Sequence, residues 1–235
     1  MSFRSFCRAP IPSAVVAVGP LAFLAGQACM PAVMHGPRID RGLTTGVAAS
    51  YTAGPRRTRF DAGGAPYAYG PVGVDVGYGW VSDRTDGLGV RLGLHVPVPA
   101  AMAAQPDLYL QLPRRAVLGL DLGVGAAAIP INESIMPYAQ LGVLRASGSG
   151  VYATYGLLMG PDPFNVNYSG RGPGADVPGI AFQKVNGRTT TRIFVTAIIA
   201  RQHDHPCANT TCRRVGDWSV ASGMALQFRH RKDPR

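Results

Sequence analysis

Large apolar residues recur at every second position in "GLGVRLGLHV" (87–96), where Leu88, Val90, Leu92, Leu94 and Val96 alternate with Gly89, Arg91, Gly93 and His95. A period of two places the two sets on opposite faces of an extended strand. The same alternation marks "LTTGVAASY" (43–51), in which Leu43, Thr45, Val47, Ala49 and Tyr51 oppose Thr44, Gly46, Ala48 and Ser50. In "VGVDVGYGW" (72–80) the valines, Tyr78 and Trp80 oppose Gly73, Asp75, Gly77 and Gly79. "LYLQL" (108–112) and "LGLDLGV" (118–124) put Tyr109, Gln111, Gly119, Asp121 and Gly123 on the small or polar face. Segments 137–145, 151–159 and 218–228 follow the pattern more loosely, and 191–200 is apolar on both faces and has no readable orientation. Asn186-Gly187, set between two extended runs, predicts a tight hairpin,. The total is about ten strands, or eight if the shorter runs drop out.

The connections sort by parity. Odd strands lead into long links, near 54–69, 98–106, 128–135, 161–177 and 201–216, and even strands into short ones such as "SDRTDG" (82–87). Long loops at one end, tight turns at the other and an even strand count are the layout of outer-membrane barrels.

Composition bears on which face is inside. Thirty glycines and twenty prolines suit many short strands and turns,. The net charge of +10 comes from a chain with only two lysines, Lys184 and Lys232, and one glutamate, Glu133. Soluble β-proteins protect their outer faces and edges with such residues, and here they are nearly absent. The Leu- and Val-rich face lacks charge across most strands, which suits hydrocarbon. The opposite face is mostly Gly, Ala, Ser and Thr, with Asp75, Arg91, His95, Gln111, Asp121 and Gln140 among them. A narrow lumen requires small inward residues, or polar ones that pair with one another. Tyr51, Trp80, Trp218 and Phe228 stand near strand ends, where interfacial aromatics belong,. The region of about 40–229 therefore resembles bacterial outer-membrane β-barrel proteins in layout. That resemblance implies an all-β, antiparallel up-and-down transmembrane barrel in the cell outer membrane, inserted by the barrel-assembly machinery. The class usually ends on an aromatic residue, whereas this chain continues past Phe228 into "RHRKDPR".

Residues 1–28 have the layout of a secretory signal peptide: Arg4 and Arg8, an apolar stretch from Ile11 to Ala25, then the small-residue exit Gly26-Gln27-Ala28,. "LAGQAC" (24–29) resembles the lipobox of bacterial lipoproteins, which implies lipidation at Cys29, although Gly26 stands where that family prefers leucine. Cleavage after Ala28 without lipidation fits the same residues. Cys7 leaves with the signal. Cys207 and Cys212 in "PCANTTC" are close enough to join as a small-loop disulfide in an exported chain, which leaves Cys29 over,. The expected division is a signal over 1–28, a periplasmic linker over 29–41, the barrel over 42–229 and a basic tail over 230–235.

Chemistry-bearing motifs are sparse. Gly123-x-Gly125-x-x-Ala128 follows a strand, but Pro130 and the absence of a helical period remove the dinucleotide reading,. His203, Asp204 and His205 lie in a long loop, and His203 and His205 are weak metal candidates,. Neither a catalytic residue nor a cofactor is expected. Arg56, Arg57, Arg59, Arg213 and Arg214 fall in the outer loops, where they suit lipopolysaccharide phosphates,. Stacking aromatics on a basic soluble fold are not evident, so nucleic acid is not an expected partner. The role expected is structural or surface-interactive, around a lumen filled by side chains. The alternatives are a periplasmic lipoprotein whose soluble barrel binds an apolar ligand, and an outer-membrane enzyme acting on lipid or peptide. The soluble alternative requires Leu88, Leu92, Leu118 and Leu122 buried, and Gly77 and Asp121 exposed.

Overall fold

The computed structural model describes residues 35–54, 67–69, 72–85, 87–98, 104–114, 119–130, 134–160, 172–200, 205–207, 210–212 and 218–230. Thirteen strands follow in chain order: β1 (Gly42–Gly54), β2 (Tyr67–Tyr69), β3 (Val72–Val81), β4 (Gly89–Val98), β5 (Gln105–Gln111), β6 (Asp121–Ile129), β7 (Ser134–Leu144), β8 (Gly150–Gly160), β9 (Gly172–Asn186), β10 (Thr189–Ala200), β11 (His205–Cys207), β12 (Thr210–Cys212) and β13 (Trp218–His230). Ten of them, β1, β3 to β10 and β13, pair with their neighbours antiparallel. The last meets the first from Leu43 against His230 to Ala53 against Val220, so the sheet closes into a barrel. Closure leaves no edge strand among the ten, and every stave can satisfy its backbone across the wall. β2 extends the β1 hairpin beyond the wall, and β11 and β12 form a separate two-stranded ladder.

The alternation fixes orientation. Along β3 the burial alternates without a break, with Val72, Val74, Val76, Tyr78 and Trp80 outward and Gly73, Asp75, Gly77 and Gly79 inward. In β4, Leu92 is 51% exposed, whereas inward Asp121 of β6 is 1% exposed. The soluble alternative needs the reverse at both positions. Leu88 and Leu122 are half-buried, and Leu118 lies outside the described residues. β10, which had no readable orientation, turns Arg192 and Ile198 inward and Ile193, Val195 and Ile199 outward.

One end of the barrel carries the short connections β3–β4, β5–β6, β7–β8 and β9–β10, together with Gly42 and His230. The β9–β10 turn falls one residue later than the sequence suggests: Asn186 pairs with Thr189, so Gly187 and Arg188 make the bend, with Gly187 at φ 58°,. The links at the other end lie largely outside the described residues. Two of them are shorter than expected. β6 runs on to Ile129 and β7 begins at Ser134, while β5 begins at Gln105. The Ala126–Ala128 run and Pro106 hide the alternation there, but pairing across the wall continues through Asp107↔Ala127 and Ala126↔Pro137. Prolines also interrupt the ladders. Around Pro178, β10 pairs Thr196 with Gly179 and resumes only at Ile199 with Asp176, consistent with a residue that has no N–H to donate,.

Residues 35–41 fall in the stretch expected to be a linker. They form an inner strap: His35, Gly36, Pro37 and Ile39 are buried inside the barrel at the short-turn end. The physical reason is that the inward faces of β5, β6 and β7 present polar groups that the wall alone does not pair.

Candidate functional site: the filled lumen

Several of the polar residues that strand parity turns inward are bonded to one another inside the barrel. Arg91 on β4 donates from Nη2 to Asp75 Oδ2 on β3 at 2.7 Å and from Nη1 to both carboxylate oxygens of Asp107 on β5 at 2.9 Å. A guanidinium between two carboxylates satisfies in low dielectric what neither charge could satisfy alone. The glycines opposite are what make room for it. A Cβ at Gly77 would stand 2.5 Å from the Arg91 guanidinium, one at Gly93 2.2 Å from it, and one at Gly73 2.2 Å from the His95 ring. Tyr109 and Tyr138 stack at 5.9 Å over Gly123 and Gly125, which likewise have no space for a side chain. The small-residue face is thus the counter-surface of large polar side chains on neighbouring strands.

The strap closes the network from the short-turn side. His35 Nε2 lies 2.8 Å from the Tyr138 hydroxyl and 3.4 Å from Asp107 Oδ2, and its ring meets Tyr109 edge-on at 4.4 Å. The Tyr109 hydroxyl donates to the Pro37 carbonyl at 3.1 Å, and Gln140 Nε2 donates to the His35 carbonyl at 2.9 Å. Arg38 grips Asp121 with Nε and Nη2, at 3.1 and 3.0 Å, and caps the β7–β8 turn through the Arg145 and Ala146 carbonyls. The Ile39 N–H donates to Gln111 Oε1 at 2.5 Å, and Asp40 pairs with Arg229 of β13 at 2.9 Å. Across the lumen, Arg192 of β10 donates to Gln183 of β9 and Gln227 of β13, at 3.1 and 2.5 Å.

Toward the long-loop end the lumen turns apolar, with Ile129, Met136, Leu158, Val177 and Ile198 packed together. Beside this cluster lies a cavity of about 20 Å³, lined by Tyr152, Thr154, Gly156, Phe194 and Thr196 among others. It has room for one or two waters.

All six inward polar positions singled out in the sequence, Asp75, Arg91, His95, Gln111, Asp121 and Gln140, are buried in this lumen. Asp107, Gln105, Gln183, Arg192 and Gln227 belong to the same interior and escaped notice. Gln105 and Asp107 continue the parity of Tyr109 and Gln111, a signal that Pro106 interrupts. His35 and Arg38 carry no periodic signal at all. Cys29 and His203 lie outside the described residues, as do Arg56, Arg57, Arg59, Arg213 and Arg214. The β11–β12 ladder sets Cys207 opposite Thr210 and Cys212 opposite His205, so the two cysteines are diagonal neighbours in backbone register. Among the described residues no group of three His, Cys, Asp or Glu side chains is placed to hold a metal ion.

An antiparallel barrel with apolar side chains outward and a polar network within has the arrangement of a transmembrane β-barrel. No family model matches the chain, and neither does any curated protein. Among solved structures it is similar to an outer membrane channel from Pseudomonas putida F1, at 11% identity and TM-score 0.39, over 85% of this chain and 98% of that one. It is also similar to the outer membrane protein OprG from Pseudomonas aeruginosa, at 11% identity and TM-score 0.34, over 83% of this chain and all of that one. Likeness this distant carries no function, and the barrel's closure rests on its own strand pairing.

Proposed function

We propose that the chain is an outer-membrane β-barrel with a structural or surface-interaction role, whose lumen is a packed interior rather than a general pore. The observation that carries this is the filling of the lumen. The Arg91 ion-paired network, the tyrosine stack and the strap 35–41 occupy space that the glycines opposite leave no wider than the side chains themselves. The membrane part of the reading is supported by the outer surface. Trp218 and Phe228, both about half exposed on β13, are ten residues apart. At ~3.3 Å per residue and a tilt of about 40° they stand roughly 25 Å apart along the barrel axis, the height of the apolar band of such barrels.

Two measurements test the two parts. Purified protein refolded into vesicles is expected to migrate differently on SDS gels before and after boiling, and to show no ohmic conductance above the lipid background in planar bilayers. A steady open conductance would overturn the packed-lumen reading. Leu94, outward near the middle of β4, tests the lipid-facing surface. Leu94→Arg is expected to lower unfolding stability in vesicles by about 2–4 kcal/mol, the cost of a midplane charge. A change under about 0.5 kcal/mol, the range of ordinary surface substitutions, would mean that this face meets water.

A further inference from the structure

The exposed charges at the short-turn end are unevenly spread. Arg145 opens the β7–β8 turn, Lys184 stands near the end of the outward face of β9, and Arg188 lies in the β9–β10 turn, all three exposed. They belong to one arc of the rim. The Ser149 hydroxyl accepts the Val185 N–H at 2.9 Å, which ties the Arg145 turn to the end of β9. The Arg188 carbonyl accepts the Arg229 N–H at 2.9 Å, which ties the next turn to β13. No Asp or Glu occurs in 144–151, 181–192 or 224–230, the segments that build this arc. The rim is different near β3, where Arg41 is already paired with Asp83 at 2.5 Å. That hydrogen bond, with the guanidinium's charge, holds the Asp83 carboxyl below its ordinary range.

Height matters as much as charge. Along the outward face of β9, Ile180 and Phe182 are 57% and 52% exposed, and the next outward residue is Lys184. On β13, Phe228 stands at the same border, opposite Thr189 at the start of β10. The cations therefore begin where the apolar band ends, at the depth of lipid phosphates, with the lysine stem free to lie along the aromatic border while its ammonium reaches outward. We propose that the arc of Arg145, Lys184 and Arg188 binds the headgroups of anionic phospholipids in the leaflet at the short-turn end, so that the barrel carries a selective lipid on one side. This rests on the membrane reading above. An anionic leaflet attracts juxtamembrane cations in this way, and the attraction is screened by salt.

The test uses the full chain refolded in phosphatidylcholine vesicles, with spin-labelled phosphatidylglycerol and spin-labelled phosphatidylcholine as probes of the motionally restricted lipid shell. Wild type is expected to favour phosphatidylglycerol roughly three- to fivefold at low salt, and much less at about 0.5 M salt. Arg145→Gln, Lys184→Gln and Arg188→Gln together are expected to bring the ratio to near one while the barrel keeps its heat-dependent gel shift. Should the triple variant not fold, Lys184→Gln alone is expected to lower the ratio measurably. A ratio near one for wild type, or an unchanged preference in a folded variant, would overturn the proposal. Loss of the preference in inorganic phosphate, but not in chloride of equal ionic strength, would assign the arc to free phosphate and overturn it as a lipid surface. Protein that fails to float with the vesicles would instead remove the membrane reading itself.

Discussion

Arg91→Met is expected to lower the stability of the folded barrel by about 3–5 kcal/mol. Arg91 is 3% exposed and bridges Asp75 and Asp107, with His35 beside Asp107 at 3.4 Å. Removing the guanidinium leaves two carboxylates in an interior from which water is largely displaced. Methionine replaces much of the aliphatic stem, so the loss reports on charge more than on volume. Guanidinium unfolding of the refolded protein, followed by the fluorescence of Trp80 and Trp218, measures it. The triple change Arg91→Met, Asp75→Leu, Asp107→Leu is expected to recover a large part of the loss, because an apolar set of similar size needs no counter-charge. A loss under about 1 kcal/mol for the single variant, close to the median of substitutions at unremarkable sites, would mean that water reaches these carboxylates.

The second large effect concerns the strap. Replacing residues 35–41 by a glycine–serine sequence of equal length removes Arg38 from Asp121 and leaves the backbone bonds of positions 37 and 39 to Tyr109 and Gln111 without the side chains that seat them. It also removes the buried side chains of Ile39 and His35. Losing Arg38, the nearer of the two cations on buried Asp121 (Arg114 stands at 3.5 Å), costs up to about 3–5 kcal/mol,. Withdrawing buried Ile39 adds about 2 kcal/mol of apolar burial. The lumen is expected to admit water at the short-turn end, so a small cation-selective current appears in planar bilayers where wild type shows none. Selectivity for cations follows from Asp121, which loses Arg38. A variant as stable and as silent as wild type would show that the strap only rests in a lumen already closed by the wall.

Legibility followed the period of two. β3 and β4 could be placed and oriented from sequence because Gly73, Asp75, Gly77, Arg91 and His95 differ sharply from the valines and leucines between them. β10 could not, because Ile198 and Phe194 inside are as apolar as Ile193 and Val195 outside. Its face was decided by register with its neighbours: Thr191 opposite Lys184 and Arg192 opposite Gln183 leave one orientation that buries the guanidinium with an amide and keeps the lysine exposed. A slip of one residue would reverse every side chain of the strand. The β9–β10 bend shows the same limit on a smaller scale, since Asn186-Gly187 marks the hairpin but not which two residues turn.

The sequence alone determined the approximate number of wall strands, the parity of long and short connections and the sorting of Leu and Val from Gly and polar residues, because each is written locally in the alternation. It also picked out most of the inward charges of β3, β4 and β6. The tertiary structure decided what those charges do. Arg91 finds Asp107 through β4–β5 pairing, Asp121 finds Arg38 from before the first strand, and His35 meets Tyr138 across 103 residues of chain. Such partners share no local pattern. They are selected only when closing the barrel brings distant segments into a low-dielectric interior, where each buried charge must be matched by whatever side chain can reach it.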